Sequence, residues 1–424
     1  MNSPAAFLGG AKDRLLPASI PFRFFAAACI FHILAWSFLL IGAENLSKFD
    51  GEMGFVLAAL HLLTLGVFVL TAMGASYQLL PVATLSPLKN IWPVRLSFWL
   101  VVPGTLLLAT GMSDATMTFL YAGGALLGAG LAVFAFLLTD NLLRARKAMP
   151  IVTAHGWGAL AALAGFVALG LILLGDLFNN ILDDHQMISH IHMVVAVFGF
   201  MGLLSFGFSH ILIPMFALSR GLPPRQAWLQ FASAIFAVGF AVVAVTINNL
   251  YVWVGAFVFG LCACFLYLNL MGHAFKTAMR KRLGLSFVMI KLSWGLLIAG
   301  MLTGLLVALK LDIPNGSTLF GFLIIVGWLL TFMSGILQRI IPFLTSMHAV
   351  GKNGMPPLLS ELTAKSPLKI HAVCHFCALT LCATGIVTDI SYFVIAGALT
   401  GLIGAIAFAV FAGLAMSKLR KNSD

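Results

Sequence analysis

Twelve long apolar stretches constrain the fold of this chain more than any other feature of its sequence. A helix rises about 1.5 Å per residue, so about 20 apolar residues cross the hydrocarbon layer of a membrane. The stretches lack the two-residue alternation of a membrane β-barrel. We therefore expect an all-α polytopic membrane protein of about twelve transmembrane helices. The predicted spans are 22–43, 54–80, 94–112, 115–139, 151–176, 186–216, 225–246, 250–274, 284–309, 318–345, 367–388 and 391–416.

The composition excludes a soluble domain. Only 9% of the 424 residues are charged and 61% are hydrophobic, so a soluble form would expose an apolar surface and aggregate. The first 20 residues contain no short apolar segment followed by a cleavage site, and we predict no removable signal peptide. All six cysteines lie in predicted spans, which argues against a disulfide framework.

The net charge of +11 follows the predicted topology and does not indicate a nucleic-acid ligand. Connections on one side of the helices are basic, and those on the other side are acidic. The positive-inside rule then places both termini in the cytoplasm of a bacterial-type inner membrane, with the lipid bilayer as partner. The basic set is Lys12, Arg14, Arg23, Lys89, Arg95, Arg144, Arg146, Lys147, Arg220, Arg225, Lys276, Arg280, Lys281, Arg282, Lys352, Lys365, Lys369, Lys418, Arg420 and Lys421. The acidic set is Glu44, Asp50, Glu52, Asp114, Asp183 and Asp184.

A repeated pattern of glycine and proline divides the chain into three groups of four helices. In helices two, six and ten, a glycine is followed after eight residues by another glycine and after seven more by a proline. We predict a cytoplasmic segment at 1–21, repeats at 22–147, 148–282 and 283–417, and a cytoplasmic tail at 418–424. The three sets are Gly66, Gly74 and Pro81; Gly199, Gly207 and Pro214; and Gly327, Gly335 and Pro342.

The repeated glycines have two interpretations. Membrane helices use glycine for close packing and tolerate proline near their ends. A glycine face also lets a flat cofactor approach the backbone. The second interpretation makes Gly66, Gly74, Gly199 and Gly207 candidates for cofactor binding.

Three of the histidines inside predicted spans lie at a similar depth below the acidic side. His61 lies on helix two, and His190 and His192 lie on helix six. Two imidazoles that face each other at one depth are suited to be axial ligands of a haem iron. Side chains two residues apart on a helix point to opposite sides, so we expect His190 and His192 to face two different sites. The alternative for each histidine is a hydrogen bond to a neighbouring carbonyl or hydroxyl group.

These residues resemble the catalytic subunit I of the haem-copper oxidases, a family that includes the nitric-oxide reductases. Helix two, from His61 to Pro81, is similar to the low-spin-haem helix of that family. The segment SHIHMVVAVFGFMGLLSFGFSHILIPMF is similar to its His-x-His helix. The resemblance covers most of the chain and implies twelve helices in three arcs. It also implies a b-type haem on His61 and His192, with His190 facing a second centre.

The chain departs from that family at two places. The family's His-x-His pair lies on helix ten, whereas here it lies on helix six, and helix seven has none of the family's copper-binding histidines. The expected cofactor is therefore haem b, as one group or two, and the sequence leaves copper open. Such a haem protein implies a cytochrome-c-like or quinol electron donor.

A second cluster lies on helix eleven, near the basic side. His371, Cys374 and His375 fall at positions i, i+3 and i+4 and share one helix face. Imidazole and thiolate groups together suit copper or zinc. The other interpretation, which we favour, is a set of polar helix contacts with cysteines as small core residues.

Three functions from different classes remain open on the sequence. The first is a haem redox protein that transfers electrons or acts as an oxidoreductase on a small gas such as nitric oxide or oxygen. The second is a sensor or protective protein that binds nitric oxide or haem without turnover. The third is a transporter for copper or haem, with histidines and methionines along its path.

Overall fold

The computed structural model of the protein describes residues 16–88, 90–145, 149–280, 283–349 and 357–420. These residues form twelve helices long and apolar enough to cross a membrane, and none of them forms a β-strand. The helices are α1 Ser19–Ile41, α2 Phe55–Ala83, α3 Trp92–Asp114, α4 Met117–Arg144, α5 Pro150–Asn179, α6 His185–Ala217, α7 Pro224–Ile247, α8 Leu250–Lys276, α9 Leu285–Ala308, α10 Gly316–His348, α11 Lys365–Thr388 and α12 Ser391–Arg420.

The predicted all-α fold with twelve spans is confirmed. The largest boundary difference is at the end of α4, predicted at 139 and observed at 144. Several basic residues of the predicted topology lie outside the described residues: Lys12, Arg14, Lys89, Arg146, Lys147, Lys281, Arg282, Lys352 and Lys421.

Helices α2, α6 and α10 are the most buried spans of the described chain and form its inner layer. Each is an α-helix interrupted by one segment of wider π-helix. The π segments are Leu62–Val69, Val195–Gly202 and Leu323–Leu330. Their starts are separated by 133 and 128 residues (62 to 195, 195 to 323), which is also the separation of Gly66, Gly199 and Gly327. The wider turn therefore occurs at one position of the glycine pattern.

The outer layer consists of closely packed helix pairs. Pairs α3–α4, α7–α8 and α11–α12 each turn at one residue in the left-handed conformation, namely Ala115, Asn248 and Asp389. Helix α12 also packs against α1, where Gly401 lies directly on the Trp36 ring. A side chain at position 401 would overlap this ring, so the glycine allows the first and last helices to meet.

Connections at each end of the helices contact one another. At the end that carries the acidic set, called the acidic end, Gln186 donates to Asp50, and Thr318 donates to the Phe49 carbonyl. Through these two bonds, the connection between α1 and α2 in the first group contacts the second and third groups of helices.

At the opposite, basic end, the Arg144 guanidinium donates to the Pro87 carbonyl.

Helices α2 and α6 end in the same way. Leu85 and Leu218 adopt the left-handed conformation, with φ of 56° and 52°. The next residue, Ser86 or Ser219, donates its backbone N–H to the carbonyl of the helix proline at 3.0 Å. Helix α10 instead continues to His348. The first two groups therefore share their termination, and the third differs.

Candidate functional site

A cavity of about 360 Å³ lies between the first and second groups of helices. It begins at residues 51–53 of the acidic end and reaches the π segments of the inner helices. Its walls come from α2 to α6, with α10 at one edge, and consist mostly of leucine, valine and phenylalanine. Its volume falls within the range of about 300–1,000 Å³ that is usual for small-molecule and cofactor sites.

The π segments build the inner end of this cavity. Residues at two equivalent positions of the three inner helices line it. The sets are Thr64, Val197 and Ile325, and Phe68, Met201 and Leu329, each separated by 133 and 128 residues. Because π turns are wider than α turns, they displace the side chains that follow, and they occur frequently at functional sites.

His61 and His192 both line the cavity, from different inner helices. His61 Nδ1 lies 3.0 Å from the Leu57 carbonyl oxygen, one turn earlier on α2. His192 Nδ1 lies 2.9 Å from the Phe166 carbonyl oxygen on the neighbouring helix α5. A carbonyl only accepts, so each Nδ1 carries the proton and donates it. Each Nε2 keeps its lone pair and is free to bind a metal.

Acidic and histidine side chains surround the mouth of the cavity. Glu52 and His185 line it, and the His185 ring contacts the buried Asp176 carboxylate at 2.6 Å. No lysine or arginine lines the cavity in the described part of the chain. Lys48, nearby in sequence, forms an ion pair with Asp389 at 2.8 Å. The mouth therefore carries no fixed positive charge for a carboxylate ligand.

The repeated glycines pack against neighbouring helices. A Cβ atom on Gly66 would lie 2.4 Å from Phe31 Cγ of α1, and one on Gly207 would lie 2.7 Å from His155 Cβ of α5. Gly74 and Gly199 make similar contacts with Phe24 and Ala162. None of these four glycines lines the cavity, whereas Gly124, Gly128 and Gly170 do.

His190 is not brought together with His61 and His192. Its side chain is exposed on the surface of α6 and does not line the cavity. His190 and His192 are two residues apart, so their side chains point to opposite sides of the helix. The structure therefore separates His190 from the site that contains His192.

The helix-eleven cluster is a packed polar contact in the described structure. The rings of His371 and His375 are buried with their centroids 5.6 Å apart, while Cys374 is half-buried beside Gly404 of α12. Among the described residues, no three histidine, cysteine, aspartate or glutamate side chains are arranged to hold a metal ion.

Each of these buried imidazoles makes one hydrogen bond, and His371 Nε2 has no partner among the described residues. His371 Nδ1 donates to the Gly404 carbonyl at 3.1 Å. The Thr331 hydroxyl donates to the Val326 carbonyl at 3.1 Å, so its oxygen accepts from His375 Nε2 at 2.6 Å.

His32 of α1 joins this cluster, with its ring centroid 6.1 Å from that of His371. His32 Nε2 accepts from the Trp36 indole N–H at 3.1 Å. A histidine in the middle of α1 carried no spacing signal that would link it to residues on helix eleven.

Sequence reasoning missed three contributors to the cavity: the Phe166 carbonyl, Gly170 and Met201. A backbone acceptor has no sequence signature, and Gly170 lies outside the repeated pattern. Met201 lies nine residues after His192, which is half a turn away on a regular α-helix, so its spacing gave no signal either.

No protein-family model matches the chain, and no curated protein sequence matches it.

Proposed function

We propose that the protein is a haem-binding membrane protein in which His61 and His192 are the axial ligands of a b-type haem. One observation carries this proposal. The two histidines face one cavity from different inner helices, and each is held through Nδ1 while Nε2 remains free. A metal-bound histidine almost always donates its second ring nitrogen to such a partner.

The donor set of the cavity fits this cofactor, which supplies an iron that accepts and releases one electron. The Leu57 and Phe166 carbonyls fix the two ring planes and raise the basicity of the ligand nitrogens. Apolar walls, including Phe68 and Phe200, exclude water and lower the local polarity. Among the described residues, no lysine or arginine lines the mouth, so the haem carboxylates would be solvated by water rather than paired with a protein cation.

The proposed role is electron transfer at this haem, or the reaction of a small gas such as nitric oxide or oxygen, which would need an open iron position at this haem or at a second centre. It agrees with the sequence resemblance to subunit I of the haem-copper oxidases and nitric-oxide reductases. We place the protein in a bacterial-type inner membrane with both termini cytoplasmic, because basic residues concentrate at one end. The electron donor is then a cytochrome-c-like protein or a membrane quinol.

Reduced-minus-oxidised optical spectra of protein purified from its native membrane test the ligand assignment. The wild type should show haem b bands, and His61→Ala and His192→Ala should each lose most of the haem. His190→Ala is the matched control, because His190 is exposed and does not line the cavity. Full haem content in either ligand variant overturns the proposal.

Carbon monoxide then separates the roles. A reduced spectrum unchanged by carbon monoxide indicates that both axial positions are filled and supports electron transfer. A shifted spectrum indicates an open iron position. Steady-state gas consumption by that protein supports an enzyme, whereas binding without consumption supports a nitric-oxide sensor or protective protein.

A soft-metal carrier is the second candidate function, and three methionines favour it. Met53, Met112 and Met201 line the same cavity as His61 and His192. Thioether and imidazole groups together suit monovalent copper. If native protein contains no haem, binds one Cu(I) ion and loses affinity in Met201→Leu, the carrier role replaces the haem proposal. Copper binding that this variant leaves unchanged contradicts the carrier role.

A further inference from the structure

We propose that Gly170 is a positioning residue for His192. Its missing side chain gives the imidazole access to the Phe166 carbonyl, and this contact sets the direction of Nε2. The inference rests on the proposed haem ligation and adds a residue that touches the ligand but not the iron.

The Phe166 carbonyl has two donors. Within α5, its oxygen accepts the backbone N–H of Gly170, four residues later. The same oxygen accepts from His192 Nδ1 at 2.9 Å. The side chain at position i+4 of a helix lies close to the carbonyl of residue i. At position 170, glycine leaves room beside this oxygen for the His192 ring.

The space at position 170 is taken by the imidazole. A Cβ atom on Gly170 would lie 3.1 Å from His192 Cε1 and 3.5 Å from Nδ1. The first distance is closer than ordinary van der Waals contact, so an added methyl group must push the ring. This push is directed away from α5, the helix that carries both Gly170 and the Phe166 carbonyl.

The two histidines therefore depend on different parts of the fold. His61 is held by the Leu57 carbonyl of its own helix, and this acceptor moves with it. His192 is held by a different helix, so its direction depends on the separation of α5 and α6. Two further glycines keep that separation small: a Cβ on Gly165 would lie 3.3 Å from Val195, and one on Gly199 would lie 2.9 Å from Ala162.

The test compares Gly170→Ala with Gly175→Ala in protein purified from membranes. Both changes add one methyl group to α5, but a Cβ on Gly175 would meet only Ile181 Cδ1, at 3.9 Å. Loss of an outer hydrogen bond to a metal-binding histidine typically weakens the metal site by about 10- to 100-fold. The added methyl group displaces the ring by a few tenths of an ångström and weakens this bond, so haem affinity should fall by at most about this factor in Gly170→Ala and stay at the wild-type value in Gly175→Ala.

Spectroscopy distinguishes a turned ligand from a merely loosened fold. In Gly170→Ala the electron paramagnetic resonance g-values of the oxidised iron should shift, because they report the ring planes of the axial ligands. The bulkier Gly170→Val should displace His192, and added imidazole should then restore a six-coordinate spectrum. Wild-type g-values and haem affinity in Gly170→Ala overturn the inference while leaving the haem proposal intact. Absence of haem from the wild type overturns both.

Discussion

Replacing Thr331 with valine should destabilise the protein although the two side chains have nearly the same shape. Thr331 is fully buried, and its oxygen is the acceptor for His375 Nε2 at 2.6 Å. Valine leaves that ring N–H buried without a partner. An unsatisfied buried donor costs about 1–3 kcal/mol, which is about a 5- to 150-fold change in the unfolding equilibrium constant.

The matched control is Thr105→Val. Thr105 is equally buried, but its hydroxyl only donates to the Val101 carbonyl of its own helix. That carbonyl keeps its helical N–H partner after the substitution, so no polar group is left unsatisfied. Unfolding in mixed micelles of rising dodecyl sulfate content, followed by tryptophan fluorescence, measures both variants. Equal destabilisation of the two variants would refute the reasoning.

A double-mutant cycle isolates the pair. His375→Phe removes the donor, so Thr331→Val should cost much less in that background than in the wild type. The difference between the two costs is the coupling free energy of the hydrogen bond. A coupling close to zero would show that His375 has another partner in the folded protein.

Two further predictions concern packing and the acidic end. Gly66→Ala should destabilise the protein by about 1–3 kcal/mol in the same micelle assay, because the added Cβ atom meets Phe31. The control Gly239→Ala should not destabilise the protein, because a Cβ atom at position 239 meets no atom within 4 Å. The Lys48 ammonium, with a neighbouring serine hydroxyl, lowers the pKa of Asp389. The ion pair between Lys48 and Asp389 therefore stabilises the α1–α2 connection above about pH 4. This stabilisation is lost as the pH falls through the lowered pKa of Asp389. Trypsin should cleave Asp389→Asn after Lys48 faster than the wild type at pH 7, and equal rates would contradict this role. Asparagine tolerates the left-handed conformation at 389, so the variant removes charge without straining the turn.

The inner helices combine a repeated backbone with side chains that differ between repeats. The position of His192 on α6 corresponds to Phe320 on α10, 128 residues later. Phe320 stacks on Phe198 at a centroid distance of 6.3 Å, and Phe198 also stacks on Trp328. Aromatic rings therefore fill the space between the second and third groups. The histidine-lined cavity lies between the first and second groups.

The sequence by itself determined the features that depend on neighbouring residues. Apolar length predicted all twelve spans, because a helix must cover the hydrocarbon layer whatever surrounds it. The depths of His61 and His192 followed from counting along their helices, and the structure places both in one cavity. The glycine pattern that recurs at Gly66, Gly199 and Gly327 was visible in the sequence, and the π segments occur at these positions.

Only the tertiary structure decided which face of each helix meets which neighbour. It directed the repeated glycines toward adjacent helices, brought His32 to His371, and gave His192 a carbonyl of α5 as its acceptor. In these spans, apolar residues surround each helix, so periodicity does not mark an inner face as it does in a soluble protein. Close packing among helices distant in sequence selects the face, and backbone acceptors such as the Phe166 carbonyl become visible only then.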